Sequence, residues 1–157
     1  MDKIIDLIVR NNELLFGTNP IIEKINVGFT NTLYKINDSY IVKICTDIDN
    51  EEAFKKEISF YSSNKDNTLI PKLYYSSTDK KDVPYIYEIL EKINGVSLYN
   101  VWHTYTEKQR ENIIRQLCDA MKQMHNIKGR RYNWLEYMKK KFNLLYEQAK
   151  KLRFYNI

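Results

Sequence analysis

Tyr40-Ile41-Val42-Lys43-Ile44-Cys45 and, a short connection later, Ala53-Phe54-Lys55-Lys56-Glu57-Ile58-Ser59-Phe60-Tyr61 are the two stretches whose reading decides the fold. The first is β-rich, and period-two alternation puts Lys43 on one face with Ile41 and Cys45. The other face carries Tyr40, Val42 and Ile44, so neither face is polar. The second stretch is helical, with Phe54, Ile58 and Tyr61 forming an apolar stripe. Glu57 stands three residues after Phe54 and four after Ala53, on that stripe rather than opposite it. A charge buried alone costs several kcal/mol, and each of these two offers the other a partner. A lone lysine can snorkel to water and a lone helix glutamate is ordinarily a surface residue. Together, one strand-to-helix connection apart, they are read as an ion pair.

Working outward, Thr32 to Ile36 and Tyr40 to Cys45 are β-rich runs separated by Asn37-Asp38-Ser39, a hairpin signal. Ile21 to Asn26 reads as a preceding strand and Gly28 to Asn31 as a turn. Before them, Ile4, Leu7, Ile8, Leu14 and Leu15 form a roughly helical stripe over residues 3–15, ended by Gly17. Asp49, three residues ahead of Glu52, reads as the N-cap of a helix running to about Ser62. Pro71 to Ser76 and Pro84 to Glu91 read as two more strands, each starting at its proline, where a missing N–H does least harm. After Gly95 the character turns helical. Thr106 and Gln109 form a capping box ahead of Ile113, Leu117, Ala120, Met121 and Met124, and a last helix spans about Tyr132 to Leu152. The expected class is α+β: a small antiparallel sheet of about five strands with one inserted helix, followed by helices.

At 157 residues and 43% hydrophobic, the chain can bury a real core and is not disordered throughout. It has no apolar run long enough for a membrane span and no signal-like start. Cys45 and Cys118 are too few and too far apart for a disulfide framework or a zinc site, so a reducing cytoplasm is the default. The net charge of +5 is uneven, residues 126–157 carrying nine basic side chains against Glu136 and Glu147. Such a tail, interleaved with Tyr132, Trp134, Tyr137 and Tyr146, allows a nucleic-acid-binding reading. A solvated helix face is preferred to it.

A sheet lysine paired to a glutamate on the next helix is how kinases hold a cation against ATP phosphates. Ile25-Asn26-Val27-Gly28-Phe29-Thr30-Asn31-Thr32-Leu33-Tyr34-Lys35-Ile36, followed by the strand of Lys43, resembles the amino-terminal lobe of the aminoglycoside phosphotransferase and choline kinase superfamily. These are small-molecule kinases with a protein-kinase-like fold. Glu57 matches the family's helix glutamate, and Ile70-Pro71-Lys72-Leu73-Tyr74 its fourth strand. Tyr87 to Leu98 resembles the strand, hinge and glycine that lead into the second lobe, and Leu117 to His125 the helix after it.

The resemblance implies residues 1–94 as a nucleotide-binding lobe with a leading helix, and 95–157 as the hinge and first helices of an incomplete second lobe. It implies that Lys43 meets the α- and β-phosphates of ATP or GTP while Glu57 holds its side chain. Gly28, Thr30, Asn31 and Thr32 would cover the phosphates, although one glycine makes this turn a weak signal by itself. The hinge backbone at Glu91 and Ile93 would hydrogen-bond the nucleobase. The family's catalytic aspartate lies in a His-Gly-Asp loop of the second lobe, and its magnesium ligands lie there too. This chain has only His103 and His125, neither in a His-x-Asp sequence, and after Gly95 its only aspartate is Asp119 inside a helix. No catalytic or metal-binding residue is therefore assigned within it. His125 is read as a packed helix-end residue, and His103 has no recognisable partner.

The expected molecule is an amino-terminal piece of such a kinase, without turnover of its own, whose parent acts on a small hydroxyl compound. A non-catalytic nucleotide- or partner-binding module is the alternative. Finally, Leu135, Met138, Phe142, Leu145, Ala149 and Leu152 recur at alternating spacings of three and four, the seam of a two-helix contact. Self-association through residues 132–152 is expected from it.

Overall fold

Asn37 and Asp38 both adopt left-handed backbone (φ 52° and 54°), and the Ser39 N–H closes the turn on the Ile36 carbonyl at 3.1 Å. Asn and Asp tolerate this region better than other side chains, and such a turn matches the twist of the strands that it joins. The hairpin of β2 (Asn31–Ile36) and β3 (Tyr40–Cys45) is the centre of a computed structural model that describes residues 2–25, 31–125 and 134–151. β1 (Ile22–Ile25) adds to one side of it, and β5 (Tyr87–Glu91) then β4 (Leu73–Ser77) to the other. The sheet has order β1-β2-β3-β5-β4 and is antiparallel throughout. The α+β class and the five strands are as the sequence implies.

Alternation along the strands divides the sheet into two faces with separate cores. Tyr34, Ile36, Val42, Ile44, Tyr87 and Ile89 face the leading helices α1 (Asp2–Asn11) and α2 (Glu13–Phe16), packing with Ile5, Ile8, Phe16 and Val83. Full burial of each such side chain stabilises the fold by about 1.5–3 kcal/mol before entropy is counted. On the other face Cys45 and Ile86 pack with Phe54 and Ile58 of α3 (Glu51–Ser63), the helix inserted after β3.

The leading segment is two helices rather than one stripe. Asn12 breaks it and is itself buried, its Nδ2 donating to the Ile8 carbonyl at 2.8 Å and to the Tyr87 hydroxyl at 3.3 Å. Ile5 of α1 enters the core, and past the break the shifted phase of α2 brings in Phe16 while Leu14 lies fully in solvent. Gly17, at φ 81°, ends α2.

Three boundaries also shift. Asp49 does not cap α3: Asp47 accepts from the Asp49 N–H at 3.0 Å and from Asn50 Nδ2 at 2.6 Å, which creates a 3₁₀ turn over Ile48–Asn50 before the helix begins. β4 and β5 start two and three residues after Pro71 and Pro84, and ahead of β5 residues 81–85 follow a series of bends.

Beyond β5, chain without regular secondary structure runs through Asn94 and Gly95 to α4 (Leu98–Val101) and α5 (Glu107–His125). The capping box forms as expected. The Thr106 N–H donates to Gln109 Oε1 at 2.8 Å, and the Gln109 N–H donates back to Thr106 Oγ1 at 3.4 Å. Arg110 secures α5 to the 3₁₀ turn Trp102–Thr104, donating to the Trp102 carbonyl at 3.2 Å with its guanidinium over the indole. α6 (Trp134–Lys151) belongs to a second compact unit, residues 128–157, separate from residues 1–127. No helix among the described residues is long and apolar enough to cross a membrane.

Candidate functional site

Sheet register places Leu33, Lys43, Glu88 and Ser76 in one row across β2, β3, β5 and β4, all on the α3 face. The next row holds Lys35, Ile41, Leu90 and Leu73. Lys43 thus stands on a largely apolar surface of Leu33, Ile41 and Leu90, with α3 beside it.

Its ammonium meets the helix glutamate squarely. Lys43 Nζ donates to both Glu57 carboxylate oxygens at 2.6 Å, and it lies 5.2 Å from the centre of the Phe54 ring. The lysine side chain is 17% exposed and the glutamate 34%, so the pair is half-buried and still reaches solvent. Phe54 and Ile58 anchor α3, which fixes the height of Glu57 above the sheet.

A second carboxylate was not singled out from sequence. Glu88, directly across from Lys43 on β5, is fully buried, and its Oε1 lies 3.7 Å from Lys43 Nζ. Neither of its oxygens has a hydrogen-bond partner among the described residues. Burial, with the negative charge of Glu57 adding to it, pushes the Glu88 carboxyl up to about 8, although Lys43 pulls the other way. The signal was present in Ile86-Glu88-Leu90, where a glutamate shares a strand face with two apolar residues, as Lys43 does on β3. Burial likewise raises Tyr61 on α3, with Glu57 and Glu88 adding to the effect.

The remaining expected site residues are placed unequally. Asn31 shares the face of Lys43, in register with Cys45, whereas Thr32 is on the opposite face with Ile44. Gly28 and Thr30 lie outside the described residues. Glu91 ends β5, its N–H donating to the Lys72 carbonyl at 2.8 Å and its side chain accepting from the Lys72 N–H at 3.2 Å. Ile93 follows, exposed, in chain without regular secondary structure. His103 lines a shallow groove of about 480 Å³ with Leu98, Tyr99, Trp102 and Leu117. Asp119 is exposed and pairs with Lys122 on its own helix. The side chain of His125 lies outside the description. Among the described residues no three His, Cys, Asp or Glu side chains converge as a metal cage would require.

This arrangement, a sheet lysine clamped by a helix glutamate beside an apolar floor, agrees with the sequence match. Residues 21–152 match the phosphotransferase enzyme family. The chain belongs to that family.

Solved structures of similar fold include the streptomycin–ATP ternary complex of APH(2")-IIa (18% identity, TM-score 0.72, 95% of this chain and 52% of that one). Another is the GDP complex of aminoglycoside 2'-phosphotransferase-IIIa (16%, TM-score 0.69, 96% and 51%). ADP-bound APH(2'')-Ib is similar over 79% of this chain and 40% of its own (20%, TM-score 0.60). This phosphotransferase-family chain thus spans about half the length of the first of these structures. No curated protein matches it by sequence.

Proposed function

We propose that this chain is the nucleotide-binding part of a small-molecule kinase that transfers a phosphoryl group from ATP or GTP to a hydroxyl compound. The observation that carries the reading is the bidentate Lys43–Glu57 pair on an apolar sheet face. Glu57 orients the ammonium, and Lys43 supplies the positive charge that nucleotide phosphates require. Leu33, Ile41 and Leu90 offer a floor for a planar base, and the chain from Glu91 to Ile93 offers backbone groups at its edge. Gly28 and Thr30 would cover the phosphates, as the family resemblance implies, together with Asn31 at the start of β2, with Thr32 contributing through its backbone. The neighbours solved with ATP, ADP or GDP support a nucleotide as the ligand. Streptomycin in one of them makes aminoglycosides the first acceptors to test. Magnesium would accompany the nucleotide and shield its charge; no residue of this chain is assigned to it.

Calorimetric titration with ATP and GTP, each with magnesium, tests the reading. Binding of either is expected, and Lys43→Met should remove most of it while the circular dichroism spectrum and cooperative unfolding persist. Unchanged affinity in Lys43→Met would sink the role of Lys43. Binding of single-stranded nucleic acid in place of nucleotide would favour the basic-tail reading.

A further inference from the structure

Glu88 is the only charged side chain among the described residues that is buried, and the clamp on Lys43 leaves it without a hydrogen bond. A buried carboxylate with nothing to accept is costly, so its position needs a physical account. The groups facing it are few. From β3 comes Lys43, with its ammonium 3.7 Å away, and from α3 come Glu57 and Tyr61. From β4 its register partner is Ser76, which does not titrate. Lys43 is thus flanked by one carboxylate in direct contact and a second waiting behind it.

We propose that Glu88 is a positioning residue that sets how much of the Lys43 charge reaches a phosphate-bearing ligand. Neutral, Glu88 leaves the ammonium to Glu57 and to the ligand. Ionised, it adds a negative charge at the back of the site and draws the ammonium inward, so that phosphate binds more weakly. The coupling is reciprocal: a bound phosphate favours the protonated acid, and binding at alkaline pH takes up a proton. The inference rests on the proposed role of Lys43 in phosphate binding.

The test is calorimetry of the full chain with magnesium-ATP from about pH 6.5 to 9.5, in buffers of different ionisation enthalpy, for wild type and Glu88→Gln. Wild-type affinity is expected to hold up to about pH 8 and then to fall, with net proton uptake. The fall should be roughly tenfold for each pH unit by which the bound ligand delays the ionisation of Glu88. Glu88→Gln should lose both the fall and the proton uptake. Parallel profiles in the two proteins would overturn the proposal.

A second measurement needs no nucleotide. The ε-carbon resonance of Lys43, followed by NMR in the free chain, should step near pH 8 in wild type and lose that step in Glu88→Gln. The same titration in both would overturn the proposal even if ATP binds. A step confined to wild type, together with no ATP binding at any pH, would overturn instead the phosphate role of Lys43.

Discussion

Glu88 shows at the scale of one residue how a buried acid in the candidate site weighs on stability. The unfolded chain releases this proton near the ordinary 4.5, whereas the folded chain releases it only at about 8. Between those values the folded state holds a proton that the unfolded state has lost, so this contribution to stability is present below pH 4.5 and is lost as pH rises to about 8. Glu88→Gln, which cannot ionise, removes that loss. Its stability relative to wild type should therefore grow from about pH 5 to 8 and level off above, by a few kcal/mol in all, since each pH unit crossed adds about 1.36 kcal/mol. Urea denaturation across this range checks it; a constant difference would mean that Glu88 ionises freely in the fold. Lys43 and Glu57 were legible as a pair in the sequence, because each interrupts an apolar pattern. Glu88 interrupts one too, but its meaning depends on which lysine stands across the sheet, and only strand pairing supplies that.

At the scale of the element, the β2–β3 hairpin depends on Asn37 more than its turn type requires. The Asn37 side chain donates to the Phe16 carbonyl at 2.8 Å and accepts from the Ile21 N–H at 2.7 Å, tying the leading segment to the sheet. Asn37→Ala loses both bonds and places a less suited residue at φ 52°, for an expected loss of about 2–3 kcal/mol. Asn37→Gly, free of the backbone strain, should lose less. Equal losses in chemical denaturation would show that the side-chain bonds account for the whole effect. α6 raises a different question, because Leu135, Phe142 and Leu145 of its seam are 52–65% exposed. The seam's Leu152 lies outside the described residues. Exposed apolar stripes mark interfaces, and we expect the chain to self-associate through this helix. Leu145→Glu should shift sedimentation toward monomer; a clean monomer at high concentration, unaltered by the substitution, would count against the seam as an interface.

For the whole molecule, the distribution of chemistry is lopsided. The lysine, the glutamate and the apolar floor are in place, yet no His-x-Asp sequence occurs anywhere in the 157 residues. Phosphoryl transfer depends on groups that position the nucleophile and the metal. The chain by itself is therefore expected to bind nucleotide without phosphorylating aminoglycosides or choline, as a coupled assay for ADP release would show. Turnover that is abolished by a substitution within this purified chain would refute that expectation. On α5, Ile114, Leu117 and Met121 are 49–58% exposed, an apolar face on a helix that begins with a well-formed cap.

What the sequence determined by itself was whatever repeats locally: the strand and helix periods, the Asn37-Asp38 turn, the capping box, and the two charges set into apolar runs. Those patterns act over a few residues and read the same in any context, so the small antiparallel sheet, its inserted helix and the Lys43–Glu57 pair followed from them. The tertiary structure decided what depends on partners far along the chain. Asn12 leaves the helical pattern because Tyr87 takes its side chain, Asp47 displaces Asp49 as a cap, and Thr32 turns from the face of Lys43 because the register with β3 requires it. Glu88 belongs with these. Its burial is a property of the sheet and α3 together, since desolvation is produced by neighbours and not by the strand that carries the charge.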